Sequence, residues 1–121
     1  MRHRKRNTTL GCNTSEKRKA LLRSLFDALF INEKIKTTSL KAKALQGLVD
    51  SLINKIKKKD AMNAIREIKK IAFTKEAAKK VLTISKNFKN KSSGFTKITP
   101  LYFRSGDNAK IVQVEFSKEE K

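Results

Sequence analysis

Catalysis needs positioned nucleophiles, bases or metal ligands, and this sequence offers few. Its one histidine, His3, stands near the start. Its one cysteine, Cys12, has no second thiol and no histidine suitably placed for a thiolate pair. A structural zinc site takes about four Cys or His ligands, more than the chain owns. No phosphate-binding loop and no glycine-rich dinucleotide fingerprint is present. Asp50 and Asp60 would make an acid–base pair only if the fold brought them together, and Glu76 with Lys80 has the spacing of a helical surface ion pair. The expectation is a protein with no catalytic residue, metal, cofactor or small-molecule substrate, and therefore not an enzyme.

The side chains that do abound are those that grip phosphate. Thirty Lys and Arg face 11 Asp and Glu in 121 residues, a formal net charge of +19. A free domain of this size usually keeps its net charge at roughly 2–8 in magnitude. Such an excess repels itself, and a polyanion relieves it. Nucleic acid is the first candidate and an anionic membrane the second. No apolar run approaches the roughly 20 residues of a spanning helix, Trp is absent, and no secretory signal pattern follows the basic start. A lone Cys fits a reducing cytoplasm.

The cations are unevenly placed. Lys outnumbers Arg 23 to 7, yet Arg2, Arg4, Arg6, Arg18 and Arg23 crowd the first 23 residues. Arg offers a planar fork that holds phosphate bidentately and stacks on bases, whereas Lys acts as a hydrated point charge. Arg2, His3, Arg4, Lys5 and Arg6 read either as a solvated tail or as an arm threading between RNA helices, and total charge favours the arm. Lys36, Thr37, Thr38, Lys41 and Lys43 make an ordinary helix start, or present hydroxyls, N–H groups and cations to a phosphate. Arg104-Ser105-Gly106-Asp107 is turn chemistry, and an Arg beside a tight turn can also reach into a groove. Phe95, Tyr102 and Phe103 could stack on bases, although strand aromatics are more often core.

These side chains need elements to hold them. Residues 1–12 contain no acid and little aliphatic surface, so they read as an extended basic arm that orders against a partner. Asn13 offers an N-cap with Glu16 three residues on, opening a helix to about Ile31 with Leu21, Leu22, Leu25, Ala28 and Leu29 inward. Lys17, Arg18 and Arg23 on its early turns oppose the helix dipole, which nearby phosphate would offset. Residues 33–38 read as a short strand. A second helix, capped by Thr38 or Ser39, carries a stripe of Leu45, Leu48, Val49, Leu52, Ile53 and Ile56 and ends in Lys57-Lys58-Lys59. Asp60 caps a third helix with Ala61, Ile65, Ile68 and Ala72 inward. Thr74 caps a fourth with Ala78, Val81, Leu82 and Phe88 inward. Residues 95–104, interrupted by Pro100, and 110–116 flank a turn and read as a hairpin. The fold class is α+β in two layers, about four helices on a small three-stranded sheet. Residues 13–117 form one domain and 118–121 a solvated tail.

Met1-Arg2-His3-Arg4-Lys5, Leu10-Gly11, Lys19-Ala20-Leu21-Leu22-Arg23, Ile35-Lys36-Thr37-Thr38, Lys41-Ala42-Lys43-Ala44-Leu45, Gly94-Phe95-Thr96-Lys97-Ile98 and Arg104-Ser105-Gly106-Asp107-Asn108-Ala109 occur in that order. Over nearly the whole chain they resemble the bacterial-type ribosomal protein L17 family of the large subunit. The resemblance implies a structural ribosomal protein binding large-subunit ribosomal RNA near the exit of the peptide tunnel, with a two-layer fold and a small mixed sheet. By position it makes Arg2, His3, Arg4, Lys5, Arg6, Arg18, Arg23, Lys36, Thr37, Thr38, Lys41, Lys43, Lys97 and Arg104 candidate RNA contacts. Cys12, Lys17 and Gln46 depart from the family pattern, where Arg, His and Arg respectively are frequent. The implied setting is the cytoplasmic ribosome, one copy in each, beside neighbouring large-subunit proteins, with no membrane and no homo-oligomer. The alternatives are a general nucleic-acid-compacting protein and a cationic membrane-active protein.

Overall fold

Thr14, in extended backbone at φ −126°, starts the first helix: its hydroxyl accepts from the Lys17 N–H at 3.2 Å. The computed structural model describes residues 14–89, 91 and 93–117. The arm at 1–12, the expected cap Asn13 and the tail at 118–121 lie outside the described residues. The cap is thus Thr14 rather than Asn13, one residue closer to the open N–H groups of the first turn. Helix α1 (Ser15–Asn32) ends where Glu33 turns left-handed at φ 68° and returns its N–H to the Leu29 carbonyl at 2.7 Å. Strand β1 (Lys34–Thr38) follows at once. Thr38 is both its last residue and the N-cap of α2 (Ser39–Lys57), so no loop separates strand from helix. Helix α3 (Ala61–Lys69) is capped by the Asp60 carboxylate, which accepts from the Asn63 N–H, and α4 (Lys75–Asn87) by the Thr74 hydroxyl, which accepts from the Ala77 N–H. The hairpin β2 (Thr96–Phe103) and β3 (Lys110–Phe116) completes the order.

The sheet runs β1-β3-β2, and both pairings are antiparallel. The α+β two-layer class is as expected, but the sheet is not mixed. A tight hairpin forces β3 to oppose β2, and β3 then lies between the two other strands and opposes β1 as well. Pro100, which lacks a backbone donor, sits on the edge strand β2, and the register slips between Pro100 and Tyr102 to leave Leu101 as an extra residue.

The helices form one layer on the sheet face that carries Ile35, Ile98, Val112, Val114 and Phe116: α1 and α2 contact the strands, α4 packs against both of them, and α3 against α2 and α4. Phe26, Leu29, Phe30, Leu45, Val49 and Phe95 are among the fully buried core side chains. The α1 face differs from the expected one. Phe26 and Phe30 lead it, with ring centroids 4.5 Å apart and Phe30 4.9 Å from Phe116, while Leu21, Leu22, Leu25 and Ala28 are half-buried. The α3 face is also turned. Ala64 and Ile68 are buried and Ile71 and Ala72 pack beside the core, whereas Ala61 and Ile65 are exposed. Ile65 stands about 100° round from Ala64, whereas Ala61, nearly in line with Ile68, is the first residue of the helix.

One buried acid ties the helical layer together. Asp27, 7% exposed on α1, accepts through Oδ2 from the Phe73 N–H at 2.9 Å and the Thr74 N–H at 3.2 Å, bonding α1 to the backbone that opens α4. Replacing Asp27 by Ala strands both donors, and a buried donor without a partner costs about 1–3 kcal/mol. Asp27→Ala is therefore expected to lower unfolding free energy by about 2–3 kcal/mol in urea titrations. Asp27→Asn, which keeps one carbonyl acceptor, should lose clearly less.

Candidate nucleic-acid interface

The sheet has a second face, opposite the helices, and its rows follow from the register. Lys34, Glu115 and Lys97 form one row; Lys36, Gln113 and Thr99 the next; Thr38, Ile111 and Tyr102 the third. Lys34, Lys36, Lys97 and Tyr102 are exposed. Lys34 reaches Glu115 at 3.8 Å, an exposed pair of small worth. Among the described residues no carboxylate lies within ion-pair distance of Lys36 or Lys97. Because β1 passes directly into α2, the α2 start adjoins the end of this face; its first turn holds no acid, and Lys41 and Lys43 follow. The Thr38 side chain makes no capping hydrogen bond there. Positive partial charge at a helix start and uncompensated lysines add in sign, and both favour an anion.

The structure thus places Lys36 and Thr38 on β1, Lys41 and Lys43 on the α2 that continues it, and Lys97 on β2, two strands across the same sheet. Thr37 points the other way: it pairs with Val112 on the helix-covered face and is half-buried. Arg18 and Arg23 belong to α1, in the helical layer. Arg18 is half-buried. Arg23 has structural work: its Nε donates to the Ile71 carbonyl at 2.8 Å and its guanidinium carbon lies 3.9 Å from the Phe73 ring centroid. Arg2, His3, Arg4, Lys5 and Arg6 lie outside the described residues. Of the three departures noted in the sequence, Gln46 serves the scaffold by donating to the Thr96 carbonyl at 3.2 Å. Lys17 is exposed on the first turn, and Cys12 is outside the described residues.

Arg104 closes the hairpin turn on itself. Its Nε donates to Asp107 Oδ1 at 2.9 Å and a terminal nitrogen to Oδ2 at 2.6 Å, a bidentate pair. The Arg104 N–H donates to the Ala109 carbonyl and the Asn108 N–H to the Arg104 carbonyl, each at 2.8 Å. Asn108 adopts φ 58°, a conformation that Asn tolerates well. The guanidinium that the sequence offers to a groove is therefore half spent in its own turn, and about half its surface remains open at 52% exposure.

Sequence reasoning undervalued Tyr102 and Phe103. Phe95 is core as expected, but Tyr102 and Phe103 are 55% and 63% exposed. The available signal was Pro100, which marks the place where β2 leaves regular pairing. A second basic surface lies between α2, α3 and α4: a groove of about 440 Å³ with Ile56, Ala64 and Leu82 in its floor and Lys59, Lys86 and Lys89 among its lining. Lys59 there is drawn to Glu67 at 2.9 Å, with Lys70 at 3.1 Å on the same oxygen. Among the described residues no group of three or more His, Cys, Asp or Glu could hold a metal ion, and no helix is long and apolar enough to cross a membrane.

Comparison with known proteins places this geometry in context. The family model described as Ribosomal protein L17 matches residues 21–117. Large ribosomal subunit protein bL17 of Chloroflexus aurantiacus is 40% identical over 116 residues, covering 95% of this chain and 98% of the relative. The protein of the same name from Campylobacter concisus is 38% identical over 120 residues, 98% of this chain and all of the relative. That from Rickettsia canadensis is 36% identical over 116 residues, covering 96% and 85%.

The turn makes a pH prediction. Hydrogen bonding from Arg104, then from the Ala109 N–H, and the guanidinium charge lower the Asp107 carboxyl from its ordinary 3.8 to about 2, and the same pairing raises Arg104. A depressed carboxylate contributes stability that is present above its ordinary value and lost as pH falls through the folded one. The turn should therefore stay paired down to about pH 2. A carboxyl-detected NMR titration is expected to place the Asp107 midpoint near 2, and in Arg104→Gln the midpoint should climb back towards 3.8.

Proposed function

This chain belongs to the ribosomal protein L17 family, and from that premise we propose that it binds and stabilises large-subunit ribosomal RNA near the polypeptide exit tunnel. As a member of that family it is a bacterial-type structural protein of the large subunit, a ribonucleoprotein component that serves translation in the cytoplasm, in association with ribosomal RNA and other ribosomal proteins. The finer reading is one of contact and mechanism. The observation that carries it is the set of lysines without carboxylate partners on the open sheet face and at the α2 start. Lys36, Thr38, Lys41, Lys43 and Lys97 contact phosphates there, the free side of Arg104 contacts RNA from the hairpin end, and Arg18 contacts it separately, from the helical layer. The arm at 1–12 carries Arg2, His3, Arg4, Lys5 and Arg6 into the RNA. Arg23 supports the fold first and contacts RNA only with what Ile71 and Phe73 leave open, and Thr37 supports the core side of β1. The residues at 13–117 act as one domain with 118–121 as a tail. One copy serves each ribosome, without self-association, catalysis, metal or cofactor.

The mechanism is electrostatic. Each phosphate neutralised by Lys or Arg releases condensed counterion, so affinity falls steeply with salt. Neutralising cations also let RNA segments approach more closely than their own charge allows. Specificity comes from shape and from contacts at unpaired positions, since side chains do not read the deep, narrow major groove of A-form RNA.

In a sucrose gradient of cell lysate, the chain should sediment with large subunits in a one-to-one ratio and be released by ribonuclease. Distribution along the chromosome with absence from subunits would contradict the proposal and favour a general compacting role. Removing residues 1–6 is expected to reduce the slope of log affinity for ribosomal RNA against log salt by about 2–4, given roughly 0.7–0.9 for each phosphate contact. The thermal midpoint of the free protein should hardly move. An equal loss of folding stability would assign those residues to the core instead.

A further inference from the structure

Past Pro100, β2 steps out of the sheet, and the step has a chemical result. The bulge leaves Leu101 and Tyr102 facing the single residue Ile111. Ile111 is buried, at 7% exposure, while its cross-strand neighbour Tyr102 is 55% exposed. Tyr102 closes the third row of the open face, and Lys36 and Lys97 lie on the two rows behind it. Successive rows on one face are two residues apart, about 7 Å along a strand. An exposed ring therefore stands at the end of a polar surface, with the Lys36 backbone about 12 Å away, one row back and two strands across, and the Lys97 backbone about 14 Å back along its own strand.

The ring is presented on a stiff support. The bidentate Arg104–Asp107 pair and the two backbone hydrogen bonds across the turn hold the end of the hairpin closed just beyond it. A contact made by a pre-ordered side chain loses less entropy on binding. Charge selects the occupant. Glu115 is set against Lys34, and Lys36 and Lys97 have no carboxylate within pairing distance among the described residues, so the face keeps a net positive charge beside an aromatic surface. That combination of stacking platform and cationic track is how proteins hold single-stranded nucleic acid. Paired bases in a duplex are stacked on one another and do not offer their faces to a side chain, whereas unpaired bases in loops and bulges do.

We propose that the open sheet face holds an unpaired ribonucleotide, its base stacked on Tyr102 and its flanking phosphates held by Lys36 and Lys97. The proposal rests on the RNA-binding reading above and specifies the class of RNA that this face takes. Tyr102 is the only tyrosine and the chain has no tryptophan, so its intrinsic fluorescence reports on this one side chain.

The test titrates the full-length chain with a 12-nucleotide single-stranded RNA and with a duplex of the same sequence at fixed salt, correcting for RNA absorbance. The single strand should quench Tyr102 emission saturably and the duplex should not. Tyr102→Ala should weaken single-strand binding about tenfold, as loss of one base–aromatic stack does, and duplex binding less than twofold. Tyr102→Phe, which keeps the ring, should bind both as the parent does, with circular dichroism confirming that both variants fold. An unresponsive Tyr102 in a chain that still binds duplex RNA would overturn this proposal alone. So would equal weakening of both RNAs in Tyr102→Ala. A chain that binds neither RNA would overturn the RNA-binding reading as well.

Discussion

Like-charge repulsion sets the terms for this structure. Thirty cations and 11 acids on 121 residues must be arranged around one core without bringing the cations together or taking them out of water. Among the described residues no Lys or Arg is buried, and the buried ionisable residue is an acid, Asp27, engaged by two backbone N–H groups. The ion pairs among the described residues lie at the surface, each with at least one exposed partner, so they stabilise little. Cohesion comes from an apolar centre in which Phe26, Phe30 and Phe116 join α1 to β3, and the α2 stripe runs through the middle. The cations are left at the rim and on the open sheet face, where a polyanion can meet them.

This constraint explains which parts of the fold were legible in advance. Lysines on the outside leave each helix with a clean apolar stripe, and the α2 pattern of Leu45, Val49, Leu52, Ile53 and Ile56 is buried as its spacing implies. The caps at Asp60 and Thr74 and the strand at Lys110–Phe116 follow from local chemistry and match. The α1 face does not yield to the same reading, because it is apolar around much of its circumference and spacing alone does not rank Leu22 against Phe26. Tertiary packing decides in favour of the rings. On α3, Ala61 and Ile65 satisfy helical spacing as well as Ala64 and Ile68 do, and only the position of α2 chooses between them.

The candidate site was legible in charge and obscure in geometry. Counting lysines points to a polyanion, but pairing is a property of the fold. Arg23 is taken up by Ile71 and Phe73, and Arg104 is half taken up by Asp107, neither of which spacing reveals. Lys36 and Lys97 lie some 60 residues apart in the chain and share a face only because β3 comes between β1 and β2. Tyr102 is the clearest case. An aromatic in a strand is core by default, and here an edge proline and one extra residue turn it outward.

The proposed interface turns the open sheet face and the α2 start towards RNA in the assembled subunit. Lysine acetylation read by mass spectrometry, on the free chain and on intact large subunits, tests this most directly. That orientation predicts that Lys36, Lys41, Lys43 and Lys97 are reactive in the free chain, strongly protected in the subunit, and reactive again after ribonuclease digestion. Reactivity of Lys36 and Lys97 as high in the intact subunit as in the free chain would contradict it.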